Sequence, residues 1–174
     1  MDTQKISTKQ VMLNYGLVLG FISILFAVAN YAFGDVYRPH WIISVIGPLA
    51  SIILIVLGIK KVKDAQGGLL TFGQALKTGL GIALISGLVY IVYSFLFTSF
   101  IEPEFYTNMA QVQEQTIIEK YPTWSDEQIE ASVEMAGKFN SPVMSSAFLL
   151  AGSLFFGFII SLIAGLIMKK SEEV

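Results

Sequence analysis

The sequence contains no cysteine. Disulfides, thiol chemistry and any zinc site built on cysteine ligands are therefore excluded. A single histidine, His40, is too little for a histidine-based catalytic or metal centre. Charged residues are scarce, at 14% of the chain, where an ordinary globular domain carries about 25%. The net charge of −2 is too small to recruit nucleic acid. No Walker-type phosphate loop, nucleophile elbow, HExxH helix or dinucleotide fingerprint occurs. The expectation is a non-enzymatic protein with no catalytic residue, no cofactor and no metal.

What the chain has instead is apolar surface. Of 174 residues, 54% are hydrophobic, and the mean hydropathy is +0.67. The excess falls in four uninterrupted runs, which makes this an integral membrane protein whose first partner is the lipid bilayer. The expected fold is all-α: a four-helix membrane bundle in one domain over residues 1–174. Its spans are expected at about 11–33, 41–59, 78–100 and 143–168, with an extramembrane helical hairpin at about 102–140. A signal peptide cleaved after Ala27-Val28-Ala29 is the competing reading of the first run. That run has the length of a span, and Asn14 and Gly16 interrupt its start. Tyr31, Tyr37 and Trp41 bracket the turn after it and suit a membrane–water interface.

The stretch Gly67 to Phe100 organises the rest. Gly67-Gly68 breaks the chain after the basic run Lys60-Lys61-Val62-Lys63, which ends the second span. Thr71 and Gln74 have the spacing of a capping box, in which each side chain takes the other residue's backbone N–H. The 29 residues from Phe72 to Phe100 would span roughly 43 Å as a helix, more than a bilayer core of about 30 Å requires. Its first turns are expected in the interface, where Lys77 can extend its ammonium to water. In the second span, Gly47-Pro48 predicts a kink.

After Phe100 come Ile101-Glu102-Pro103-Glu104 and about 40 polar residues. Pro103 suits a first helical position and Glu104 the positive end of a helix dipole. Ser125 with Gln128 repeats the capping-box pattern, and Trp124 is expected to pack the turn before it. Glu102, Glu104 and His40 share a predicted side, but helix-start chemistry explains the acids better than a metal or acid–base site does. Lysine and arginine placement sets orientation. With the N-terminus in the cytoplasm, eight basic residues lie inside (Lys5, Lys9, Lys60, Lys61, Lys63, Lys77, Lys169, Lys170) and three outside (Arg38, Lys120, Lys138). Both termini are therefore expected to be cytoplasmic, with the acidic hairpin periplasmic.

Lipid offers helices no hydrophobic reason to associate, so small residues must let them approach. Gly79, Ala83 and Gly87 recur at four-residue steps in the third span. Gly157, Ser161 and Gly165 do so in the fourth, and Gly16 and Gly20 in the first. Ser86, Tyr90 and Tyr93 form a polar stripe on the third span. It either packs or, with Asn14 or Asn30, lines a polar cavity. No ionisable residue lies within any span so drawn, which weakens the case for a proton-coupled pump.

Asn14-Tyr15-Gly16 with Gly20, the run Gly67-Gly68 through Phe72-Gly73-Gln74-Ala75 to Lys77-Thr78-Gly79, then Ile101-Glu102-Pro103-Glu104, and Ser141-Pro142 before a Gly157-bearing last span together form a pattern. It resembles a family of small bacterial inner-membrane proteins known as domain-of-unknown-function family 4199. The resemblance covers nearly the whole chain. It implies four spans in a bacterial inner membrane and no assigned activity or site residue. The leading functional expectation is a scaffold or regulator of an envelope partner, acting as a homo-oligomer or with another membrane protein. The alternative is a small-solute or lipid transporter or channel subunit.

Overall fold

A computed structural model describes residues 7–170. Those residues form six helices with no strand among them: α1 (Thr8–Phe33), α2 (Trp41–Ala65), α3 (Phe72–Leu96), α4 (Phe105–Lys120), α5 (Asp126–Phe139) and α6 (Pro142–Met168). α3 continues into a π-helical turn, Phe97–Ile101. Four stretches are long and apolar enough to cross a membrane: α1, α2, α3 with its π turn, and α6. Lys5, one of the residues used to orient the chain, and the tail beyond Lys170 lie outside the described residues.

Helix starts follow local chemistry. Capping boxes form at Thr71 with Gln74 and at Ser125 with Gln128. A third, Ser7 with Gln10, starts α1 at Thr8, inside what the sequence reads as a polar leader. α2 continues beyond Ile59, where the second span is expected to end. It runs through the basic stretch to Ala65, because Val62 is buried against the other helices while the lysines are good helix formers facing outward. Pro103 also departs from expectation. It sits in a turn, and α4 begins only at Phe105.

Gly67 and Gly68 end α2 with φ of +69° and +89°. Both lie in the left-handed region that side chains with a Cβ avoid. Gly68 donates its N–H to the Lys63 carbonyl at 3.0 Å, closing the helix end. Beyond it, Leu70 and Lys170 exchange two backbone hydrogen bonds of 2.9 Å, which tie the α2–α3 turn to the end of α6. Gly68→Ala is therefore expected to cost about 1 kcal/mol, read as a lowered Tm in mild detergent. An unchanged Tm would show that the turn can adopt another conformation.

α3 touches each of the other three long helices. Against α6 it runs antiparallel in a fixed register. Ala75 meets Gly165, Gly79 meets Ser161, Ala83 meets Gly157 and Gly87 meets Ser153. Each advance of four residues in α3 matches a retreat of four in α6. Against α1 it runs parallel: Met12 fills the space over Gly81, Ile85 that over Gly16 and Val89 that over Gly20. The Ser153 hydroxyl crosses the α3–α6 interface to donate to the Ala83 carbonyl at 2.9 Å.

Packing is uneven along the helices. Val11, Ile55, Ile59, Val62, Leu70, Ala75 and Ile82 are fully or almost fully buried, and all lie toward the lysine-bearing end. Toward the other end, a Cβ added at Gly47 or Gly152 would meet nothing within 4 Å. There α4 and α5 pack on each other, and the Gln113 and Asn140 side-chain amides join them at 2.7 and 3.4 Å.

Candidate functional site

Two adjoining cavities lie among the long helices, the larger reaching from Gly47 and Leu149 to Ile167 and Met168 at the lysine-bearing end. The larger, about 710 Å³, lies between α2 and α6, with α3 behind it and Leu19 and Ser23 of α1 at one edge. The smaller, about 380 Å³, lies between α1, the start of α2 and the end of α3. Ser23, Gly47 and Tyr90 line both, so one space leads into the other. Three features open it. α2 passes through Pro48, which has no N–H to offer the preceding turn. Gly47 and Gly87 supply no side chain, and Ser86 and Ser153 supply small ones.

The walls of the larger cavity are mainly aliphatic and aromatic, among them Ile55, Ile160 and Phe156. Ser23, Ser51, Ser86, Tyr90 and Ser153 interrupt them. Ser23 and Ser51 donate to the Leu19 and Gly47 carbonyls at 2.9 and 3.1 Å, the carbonyls four residues back in their own helices. Their lone pairs stay available to accept. In the smaller cavity the polar lining is Asn30, Tyr90, Tyr93, Ser94 and Thr98, with Ser23 at the shared boundary. The volumes fall in the roughly 300–1,000 Å³ range of sites for small molecules.

Of the polar stripe, Ser86 lines the larger cavity, Tyr93 the smaller and Tyr90 both. Asn30 joins them, whereas Asn14 is exposed on the outer surface of α1. The small-residue positions divide. Gly79, Ser161 and Gly165 lie in the packed interface, while Ala83, Gly87 and Gly157 also border the larger cavity. Asn30 Oδ1 is buried against Gly34 without a hydrogen-bond partner.

The outer end of the smaller cavity is closed by a feature that sequence reasoning assigned otherwise. Glu102 is no helix-dipole partner. Its carboxylate accepts from the Tyr31 hydroxyl at 3.0 Å and from the Tyr37 hydroxyl at 3.0 Å. Asn108 of α4 donates to the Tyr37 oxygen, also at 3.0 Å. Around this acid the rings of Tyr31, Phe97, Phe105 and Tyr37 make successive contacts, with centroids 5.0, 6.0 and 5.6 Å apart. This clasp joins the α1–α2 turn to the α3–α4 corner. Tyr31 and Tyr37 therefore do more than sit at an interface. His40 stands apart from Glu102, its Nδ1 accepting from the Ile42 N–H at the start of α2. Among the described residues, no group of three metal-ligating side chains comes together. Trp124 stacks on Tyr121 at 4.2 Å in the α4–α5 turn.

Burial pushes the Tyr37 hydroxyl above the usual tyrosine value of 10.0. Asn108, donating to the oxygen, opposes this, and the Glu102 charge adds to it. A raised folded value means that the clasp's contribution is complete below about pH 10 and lost as pH climbs through the folded value. Amide exchange over residues 34–40 is therefore expected to keep its ordinary dependence on pH up to about 10 and then to accelerate beyond it. Tyr37→Phe is expected to reduce the extra acceleration, the Tyr31 hydroxyl on the same carboxylate keeping the rest.

A family model described as a protein of unknown function (DUF4199) matches residues 14–170. No curated protein and no solved structure matches the chain.

Proposed function

This chain belongs to the DUF4199 family of proteins of unknown function, and on that premise we propose that it holds a lipid-sized, largely apolar molecule within the membrane. The reading places α1, α2, α3 and α6 as a transmembrane bundle in a bacterial inner membrane. Both ends of the chain then face the cytoplasm, and α4 with α5 forms a periplasmic hairpin. Binding without catalysis, as in a lipid carrier or the ligand-holding part of a transporter, is the action proposed.

The supporting observation is the apolar cleft of about 710 Å³ between α2, α3 and α6, open on the side where Ile52, Phe156, Ile163 and Ile167 are exposed. Apolar walls exclude water and leave room for hydrocarbon. The test is lipid analysis of the purified protein. One lipid is expected to co-purify at near one per chain and to be lost in Gly47→Leu, whose new side chain enters open space. Gly137→Ala in α5, where a Cβ also meets nothing, is the control. Equal lipid in all three proteins would refute the reading.

A second reading keeps the scaffold role. Met135 and Phe139 are exposed on α5, one helical turn apart, beside the acidic residues of that helix. Such a face suits a partner or a second copy. Met135→Glu with Phe139→Glu is then expected to lower the native mass of the extracted protein without changing its bound lipid. An unchanged native mass would count against it.

A further inference from the structure

We propose that the occupant is an uncharged lipid with a hydroxyl-bearing head, of the diacylglycerol or long-chain alcohol class. Its head sits in the smaller cavity and its chain runs past Tyr90 into the larger one. The inference rests on the ligand-holding reading above and adds the chemistry of the head.

Three observations carry it. First, the cavities share Ser23, Gly47 and Tyr90, which gives one molecule a path through both. Second, they differ in polar share. The larger is mostly Ile, Leu, Phe and Met side chains with Ser51, Ser86 and Ser153 scattered among them, whereas the smaller gathers Asn30, Tyr90, Tyr93, Ser94 and Thr98 within a few turns. An amphiphile placed with its head in the smaller cavity meets hydroxyls at one end and hydrocarbon along the rest. Thr98 donates to the Ser94 carbonyl at 3.0 Å and Ser23 to that of Leu19 at 2.9 Å. Each keeps lone pairs that can accept from a lipid hydroxyl.

Third, among the described residues no lysine, arginine, histidine, aspartate or glutamate lines either cavity. A phosphate head would enter a site of low polarity with no cation to meet it, and an isolated buried charge is strongly disfavoured. The acid at that end, Glu102, is of the wrong sign for phosphate. It also lines neither cavity, so an ammonium head seated there would meet no counter-charge in the walls. The neutral hydroxyl head is the one left with partners and without an unpaired charge.

The test uses the full chain in detergent with two photoactivatable probes of identical acyl chains, a diazirine-bearing diacylglycerol and the corresponding phosphatidic acid. Unlabelled diacylglycerol and phosphatidic acid serve as competitors. The diacylglycerol probe is expected to label peptides of α2 and α6 and to be displaced by diacylglycerol about tenfold or more better than by phosphatidic acid. Gly47→Leu is expected to remove this labelling. Ser94→Ala with Thr98→Val is expected to narrow the preference while leaving chain labelling in place. If both probes label the cavity equally and Gly47→Leu blocks both, the ligand-holding reading stands and the uncharged head is overturned. If neither probe labels the cavity, or Gly47→Leu changes nothing, both readings fall.

Discussion

Gly79→Ala is expected to destabilise the protein by about 2–3 kcal/mol, and Gly79→Ala combined with Ser161→Gly to recover most of that loss. A methyl group at position 79 would fall on the Ser161 hydroxyl, with Ser161 Cβ at 2.8 Å and Ile55 Cγ2 at 3.0 Å. Ser161 is fully buried, and its hydroxyl is held by the Gly157 carbonyl, so it cannot swing aside freely. Relief must come from separating α3 from α6. Separation would loosen the contacts at Ala75–Gly165 and Ala83–Gly157 as well, because all lie on one register. Removing the side chain at 161 empties the space that the added methyl needs, and the residual crowding against Ile55 keeps the rescue partial. A double-mutant cycle from reversible unfolding in mild detergent measures the coupling. Additive losses would mean that the two positions do not face each other.

Glu102→Ala is expected to accelerate amide exchange over residues 34–40 by about tenfold while leaving the packed end of the four long helices unchanged. The substitution removes the acceptor of two tyrosine hydroxyls at once, and hydrogen bonds to a charged group are the stronger kind. It also leaves Tyr37 half-buried with only Asn108 beside its oxygen. Glu102→Gln keeps one acceptor and is expected to fall between the two. The contrast is Arg38 with Glu119, which reaches across the same gap at 3.7 Å between two well-exposed side chains. Such pairs contribute little, so Glu119→Gln should leave exchange over 34–40 as it was. Equal effects from Glu102→Ala and Glu119→Gln would show that net charge, not the tyrosine bonds, holds the turn.

The two predictions differ in how far the sequence announces them. Gly79, Ala83 and Gly87 stand at four-residue steps, as do Gly157, Ser161 and Gly165, so both stripes are visible in the chain. Which residue meets which is not, because antiparallel register depends on the lengths of the segments between them. The capping boxes at Thr71 and Ser125 are legible for the same local reason: donor and acceptor are three residues apart. The one at Ser7 has identical chemistry and is hidden only by a start that reads as a polar leader. Glu102 is the opposite case. Its partners lie 65 and 71 residues away, and beside Pro103 it imitates a helix start. Nothing local separates an acid that faces a dipole from one that receives two phenols. The cavities are intermediate. Gly47-Pro48, Ser86 and Tyr90 stand out in a hydrophobic run, yet whether small and polar groups pack or leave space depends on what α6 brings opposite them.

Ser86 borders an accessible space while Ser161, in the same helix pair, does not. A chain without cysteine makes the comparison clean. Ser86→Cys and Ser161→Cys, each a single thiol of similar size, are exposed to a small membrane-permeant maleimide in nanodiscs at mildly alkaline pH. Both thiols sit in apolar surroundings that suppress the thiolate, so the ratio of rates reports access. Ser86→Cys is predicted to react about tenfold faster or more than Ser161→Cys, and added apolar ligand to slow it toward the Ser161→Cys rate. Equal, slow labelling of both would mean that the helices close over the cavity in the membrane, and the ligand-holding reading would fail.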